Sequence, residues 1–263
     1  MDLLKRELAP LSSKAWDEIN KRAKDVLKSY LSARKVLNVN GPLGWNYTFV
    51  PEGRLLDTGE NKTVKAMNYS AKPLTEARVE FFIDRWELDN LERGSKDPDL
   101  SPLEKAAKEL ALFEEKTIYN GNETLGIKGL KDYSKNNTVD VGKDFSDIMK
   151  AITDASLILR KNYENPPFAL IAGNKFIERL NSSVHSYQLK KWLDGFIGSS
   201  TIFNHVMDDA LLIPLKSDDL ELTVGGDYSI GYQSHDDKKV RLFICESFTF
   251  RVLNPDIIVE LKL

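Results

Sequence analysis

Apolar residues at Trp16, Ile19, Ala23, Val26, Leu27, Tyr30 and Leu31 recur at helical spacing between Lys, Asp and Glu. The period predicts a helix from near Ser12. Ser12 is its expected N-cap, and Leu11 and Trp16 stand at the positions of a hydrophobic staple. The helix stops before "NVNGPLGW", where Gly41-Pro42 and Gly44 break the pattern. From Trp45 to about Pro73 the chain reads as strand but is poorly apolar. The runs "NYTFV", "GRLLD" and "TVKAMNY" are separated by "PEG" and "TGENK", which carry hairpin turn signals. Such a segment lacks the residues for a core of its own, and a two-stranded ribbon alone is marginal in water. It is expected to lean on something else, a neighbouring subunit being the natural candidate.

"EARVEFFIDRW" alternates Val79, Phe81 and Ile83 against Arg78, Glu80 and Phe82, which predicts a half-buried strand. The run that follows, "RWELDNLERG", reads as a solvated charged face or a subunit contact. "LSPLEKAAKELALFEEKTIY" predicts a helix. Ser101 and Glu104 have the spacing of a capping box, and Pro102 sits in the first turn. Leu103, Ala107, Leu110, Ala111 and Ile118 form its apolar stripe. A second region begins near Asn136. There "DFSDIMKAITDASLILRKN", "NKFIERLNSS" and "SYQLKKWLDGF" predict helices, while "FALIAG", "DALLIPL" and "LELTV" predict strands. The strongest β signal is "VRLFICESFTFRVLNPDIIVELKL". Val240, Leu242, Ile244, Phe248, Phe250 and Val252 keep even positions, interrupted by Glu246. Asn254-Pro255 then makes a turn into a last strand. Long helices mixed with antiparallel-looking strands, without βαβ regularity, argue an α+β fold.

Composition narrows the function rather than the fold. A chain of 263 residues predicts one main core with an appended lobe. The formal charge of −3 lacks the basic excess of a nucleic-acid binder. Cys245 is the only cysteine, so no internal disulfide forms, and its apolar run predicts a buried, inert thiol. "MDLLKRELAPLSS" has no apolar stretch typical of a signal peptide, and no run approaches the roughly 20 residues of a membrane span. The simplest expectation is a cytoplasmic protein with no membrane partner.

Candidate chemistry is sparse. His185, His205 and His235 are far apart and lack metal-type partners; no HExxH, CxxC or His-x-His occurs. There is no G-x-S-x-G elbow and no P-loop, so neither a catalytic residue nor a metal ligand is assigned. Gly225, Gly226 and Gly231 in "TVGGDYSIGY" are expected to serve a turn between strands. Glu87, Asp89 and Glu92 sit in a run too solvated for a tuned acid–base pair. Trp86, beside Arg85 and near Arg78, has the chemistry to stack a planar ligand or to anchor an interface. The residues by themselves predict an oligomeric α+β protein.

Several stretches, taken together and in order, carry more. "MDLLKRELAPLSSKAWDEI", "ARKVLNVNGPLGW", "WELDNLERG", "GIKGL", "DYSIGY" and "ESFTFRVLNP" resemble the encapsulins, formerly called linocin-type bacteriocins. The resemblance implies the tailed-phage major-capsid fold and a self-assembling icosahedral shell in the cytoplasm. Such a shell encloses a cargo enzyme, a dye-decolorising peroxidase or a ferritin-like iron oxidase, held by a C-terminal targeting peptide. It also implies a division of the chain. Residues 1–45, 74–133 and 223–263 would form a peripheral domain, 46–73 an extended loop laid over the next subunit, and 134–222 an axial domain.

Site residues follow from the same resemblance. A cargo groove would lie between the N-terminal helix and the C-terminal sheet, with Arg34 and Asn38 on one side and Ile230 and Tyr232 on the other. Relatives often carry an aspartate where this chain has Asn38, which puts a basic cargo contact there in doubt. "SVHSYQL", 183–189, matches a loop around a fivefold pore, with His185 and Tyr187 as pore residues. A ring of His185 imidazoles would change charge near neutral pH; His185 as an ordinary surface residue is the alternative. Arg78 and Trp86 match positions that hold a flavin, FMN or FAD, on the outer face of some members. No cofactor is required for a wall. The competing readings are a prophage major capsid protein with a DNA cargo, and an enzyme such as a protease or flavoenzyme, for which the sequence supplies no active site.

Overall fold

The computed structural model describes residues 3–57, 66–182 and 186–263. Helix α1 (Ser13–Tyr30) begins where its cap dictates: the Ser12 hydroxyl accepts the Ala15 N–H at 3.1 Å. Ala15, Ile19, Ala23 and Leu27 turn inward. A short α2 (Ala33–Val36) and strand β1 (Asn38–Asn40) follow. Gly41 then holds φ at +141°, and a Cβ there would lie 2.3 Å from the Val224 carbonyl oxygen.

Strands β2 (Phe49–Asp57) and β3 (Met67–Pro73) form a two-stranded antiparallel ribbon. "PEG" is not the expected turn. It runs inside β2, where the pairing slips between Pro51 and Leu55. Pro51 lacks an N–H and Gly53 takes φ +67°, so the irregularity is absorbed as a bulge. "TGENK" lies outside the described residues. Of the ribbon's apolar side chains, Val50 is buried, whereas Phe49, Leu55, Leu56, Met67 and Tyr69 are exposed.

Strand β4 (Thr75–Asp84) buries Phe81 and Ile83 as its alternation requires. The charged run after it is a helix, α3 (Arg85–Glu92), capped by Asp84, whose carboxylate accepts the Trp86 N–H at 2.8 Å. Leu88 and Leu91 anchor its inner face. Helix α4 (Ser101–Asn120) buries all five residues of its expected stripe. Its capping box does not form. Ser101 is already helical, and Asp99, two residues earlier, accepts its N–H at 3.0 Å. Glu104 is drawn instead to Arg22, 2.9 Å away.

The remainder runs α5 (Leu130–Tyr133), β5 (Thr138–Asp140), α6 (Phe145–Lys161), β6 (Phe168–Ala172), α7 (Asn174–Ser182) and α8 (Ser186–Ile197). Then come β7 (Ile202–Phe203), β8 (Ala210–Pro214), β9 (Leu220–Val224), β10 (Ser229–His235), β11 (Lys239–Val252) and β12 (Val259–Lys262).

Two five-stranded sheets organise these elements among the described residues. In the first, the long β11 pairs with β4 along one stretch and with β10 and then β9 along its length; β1 adds beside β9. Gly225 and Gly226 therefore do not close a hairpin between paired strands. They carry the chain from one partner of β11 to the next, and Gly226 has no room for a Cβ because the Trp45 ring would lie 2.3 Å away. The second sheet has the order β5-β12-β8-β6-β7.

Sheet membership departs from the division at residue 223. Strand β9 belongs to the first sheet, and β12 crosses to the second, where it pairs with β5 and β8. The turn at Asn254-Pro255 makes the crossing, and Val259 and Leu261 find an apolar neighbour in "ALLIP". The core is likewise double. Ile19, Leu27, Leu103, Leu110, Ile83 and Leu242 meet between α1, α4 and the first sheet. A second cluster wraps α6 and the second sheet and takes in Phe248 and Phe250. Helix α4 reaches both, through Leu103–Ala111 at one end and Ile118 and Tyr119 at the other.

Candidate binding groove

Helix α1 and strand β10 leave a groove of about 670 Å³ between them. The 3.6-residue period of α1 brings Ala23, Leu27 and Leu31 to its floor; β10 and β11 add Ile230 and Ile244. Arg34, on α2, stands within its lining.

Arg34 is held by acids from three elements. Its Nε lies 3.0 Å from each Glu114 oxygen, and Nη2 lies 2.5 Å from Glu114 Oε2 and 2.9 Å from Glu246 Oε2. Nη1 donates to Asp227 at 2.6 Å, and the guanidinium lies over the Tyr228 ring, 4.5 Å from its centroid. Glu114 and Glu246 are fully buried. Burial opposes the charge on Arg34, but the two carboxyls outweigh it and hold the guanidinium more firmly protonated than usual. Burial, reinforced by Glu114, pushes the Glu246 carboxyl well above its ordinary range. Burial and then the same two acids push the Tyr228 phenol upward as well.

A second buried polar cluster lies at the α1–α2 junction. Glu115 accepts the N–H groups of Ser32 and Ala33 at 2.9 and 2.8 Å, and the Asn204 amide at 3.0 Å. The Ser32 hydroxyl is 2.5 Å from Glu115 and 2.9 Å from the Tyr119 phenol. Glu115 thus caps the first turn of α2 and ties it to α4. Burial raises its pKa to about 7 against the pull of its donors.

The structure brings Arg34 and Ile230 into one groove. Asn38 and Tyr232 are not in its lining. Asn38 donates to Asp218 at 2.9 Å from the start of β1. Tyr232 is nearly buried, its N–H bound to the Leu4 carbonyl at 2.8 Å and its hydroxyl 2.5 Å from His235 Nδ1. Arg78 lies over the Phe243 ring at 4.1 Å and pairs with Glu76 at 3.2 Å. Trp86 is 68% exposed, with Arg93 5.7 Å from its ring centroid. Arg78 precedes the end of β4 by six residues, about 20 Å of strand. His185 lies outside the described residues; Tyr187 belongs to the backbone of α8. Burial pushes the Cys245 thiol up to about 12, which suits an inert packing residue. Among the described residues no cluster of His, Cys, Asp and Glu is arranged to hold a metal, and no helix is long and apolar enough to cross a membrane.

Glu114, Glu115, Glu246 and Tyr228 were not singled out as site residues from sequence. Glu246 left one signal, its break in the apolar alternation of β11. The acids of α4 left none, because charged residues in a helix read as solvated.

With fold and groove in view, the relatives are informative. The chain superposes on the virus-like particle from Pyrococcus furiosus with TM-score 0.67 and 17% identity, covering 94% of this chain and 98% of that one. The capsid of Myoviridae phage XM1 gives TM-score 0.57 at 13% identity, with 88% and 90% covered. The fold is therefore that of phage capsids. A type 1 encapsulin shell protein of Rhodospirillum rubrum is 34% identical over 271 residues, spanning 100% of this chain and 97% of the relative. Residues 1–249 match the family Linocin_M18, "Encapsulating protein for peroxidase", and the chain belongs to that family. It is a capsid-like shell protein, structural rather than enzymatic, and it works as many copies of itself.

Proposed function

We propose that the chain walls an icosahedral compartment in the cytoplasm and that the groove between α1 and β10 docks the C-terminal targeting peptide of a cargo enzyme. One observation carries this reading: the shell protein forms a groove of about 670 Å³ with an apolar floor of Leu27, Leu31, Ile230 and Ile244. A groove of that size takes a few aliphatic side chains of an extended peptide. Arg34, fixed by Glu114 and Glu246, orients the peptide backbone or a carboxylate beside them. A peroxidase, as in the family's description, is the first cargo to test, and a ferritin-like iron oxidase the second. The ribbon of β2 and β3, with Tyr69 and Leu56 exposed, supports contact with the next subunit. Closed shells form when such head-to-tail contacts have rotations that close.

The test is co-expression with a fluorescent reporter ending in an apolar "SLxIGSL"-like tail. Purified particles are expected to carry the reporter, and Ile230→Asp to exclude it without preventing assembly. Equal loading of both shells would refute the groove. A narrower second proposal concerns Trp86, whose exposure suits stacking of a flavin contributed to by a neighbouring subunit. Particles purified with added FMN should show flavin absorbance that Trp86→Ala removes; no absorbance, or none lost, ends that reading.

A further inference from the structure

We infer that this groove selects an acidic peptide: aliphatic residues flanked by aspartate or glutamate. The inference rests on the docking reading above and adds the partner's charge. Besides Arg34, the described residues of the lining include Arg6, Lys24, Lys28 and Lys35, and one acid among them, Asp227. Asp227 is already committed, to Arg34 at 2.6 Å and to the Tyr228 N–H at 2.8 Å. The acids Glu114 and Glu246 are buried behind Arg34 and spent on it. Lys24 and Lys28 make no ion pair among the described residues.

Helix α1 sorts its charges to produce this. Asn20, Lys24 and Lys28, one turn apart, share the groove face. Asp17, Glu18 and Asp25 line a different surface, toward Leu91 and Pro98, together with Lys21 and Arg22, where Arg22 pairs with Glu18 at 3.4 Å. Arg6 is set in place by stacking over Trp16, 4.0 Å from the ring centroid, and by the Asn20 amide at 3.2 Å. A chain with a formal charge of −3 thus presents a local excess of cations around an apolar floor. An acidic peptide satisfies floor and rim together, and a basic one meets uncompensated like charge. Polyanions without aliphatic groups, such as nucleic acid, leave the floor unfilled.

The experiment loads two reporters of different colour into the same full-length shells by co-expression. Their tails share one Leu-Ile-Leu core and differ only in flanking Asp or Lys. The Asp-flanked reporter is expected in about tenfold excess, the yield of several exposed pairs acting together, and Lys24→Glu/Lys28→Glu should reverse the ratio. Should that variant not assemble, Lys24→Gln/Lys28→Gln is expected to bring the ratio toward one. Equal loading, an excess of the Lys-flanked tail, or a ratio unmoved by either variant overturns the inference while leaving the docking reading intact. Loading of neither reporter sinks both. Displacement of the Asp-flanked tail by a single-stranded oligonucleotide during reassembly would also overturn it, in favour of a plain polyanion site.

Discussion

Replacing Arg34 by methionine tests the electrostatics beneath the groove. Methionine keeps most of the side-chain volume and removes the guanidinium. Glu114 would lose three contacts of 3.0, 3.0 and 2.5 Å, and Glu246 its contact at 2.9 Å, both at fully buried carboxyls. Glu114 would keep the Tyr228 hydroxyl, at 3.3 Å, and its contact with the Glu246 carboxyl. Breaking a buried pair from one side leaves an uncompensated charge and costs about 3–5 kcal/mol. In scanning calorimetry of assembled particles at one scan rate, that corresponds to a melting temperature lower by roughly 10 °C. The same substitution in a Glu114→Gln/Glu246→Gln background should cost less than about 1 kcal/mol, because no buried charge remains to be stranded. A loss under about 2 °C in the wild-type background, or an equal loss in both backgrounds, would refute the reasoning.

Two further outcomes follow from buried groups. Glu115 titrates at about 7 when folded, against an ordinary 4.5. The folded chain holds this proton more tightly than the unfolded one, so the group's contribution is full below pH 4.5 and is lost as pH rises through about 7. The loss amounts to about 3 kcal/mol, and Glu115→Gln should flatten that part of a stability–pH profile read from denaturant midpoints; an unchanged slope contradicts it. Cys245, buried and pushed up to about 12, should react with a thiol reagent only at the rate of unfolding, and labelling of folded particles within minutes at neutral pH would place it wrongly.

Regular periodicity made much of the fold legible. The stripe of α1 and the five buried residues of α4 read correctly, because each spans several repeats of its period; in β11 the even positions Val240 to Phe250 are buried, but so are Phe243, Cys245, Ser247 and Thr249, and Val252 is half-buried. Helix α3 was not read as a helix: eight residues with two inward leucines, Leu88 and Leu91, give too short a period beside their charges. The Ser101 cap failed because Asp99, just upstream, competes for the same N–H. Sheet membership of β12 depends on a partner far away in sequence, which no local pattern encodes. Of the groove, Arg34 and Ile230 came from family resemblance. Its buried acids stayed hidden because a helix surface gives no sign of which charges a neighbouring sheet will cover, and the cationic rim is visible only once α1 and α2 are placed against β10.

Assembly remains the claim on which everything else stands, and mass photometry of the purified full-length chain tests it most directly. A single narrow population of megadalton particles, hollow by electron microscopy, is the predicted result. A stable species of one or two 29.8 kDa chains, persisting at high protein concentration, would contradict it.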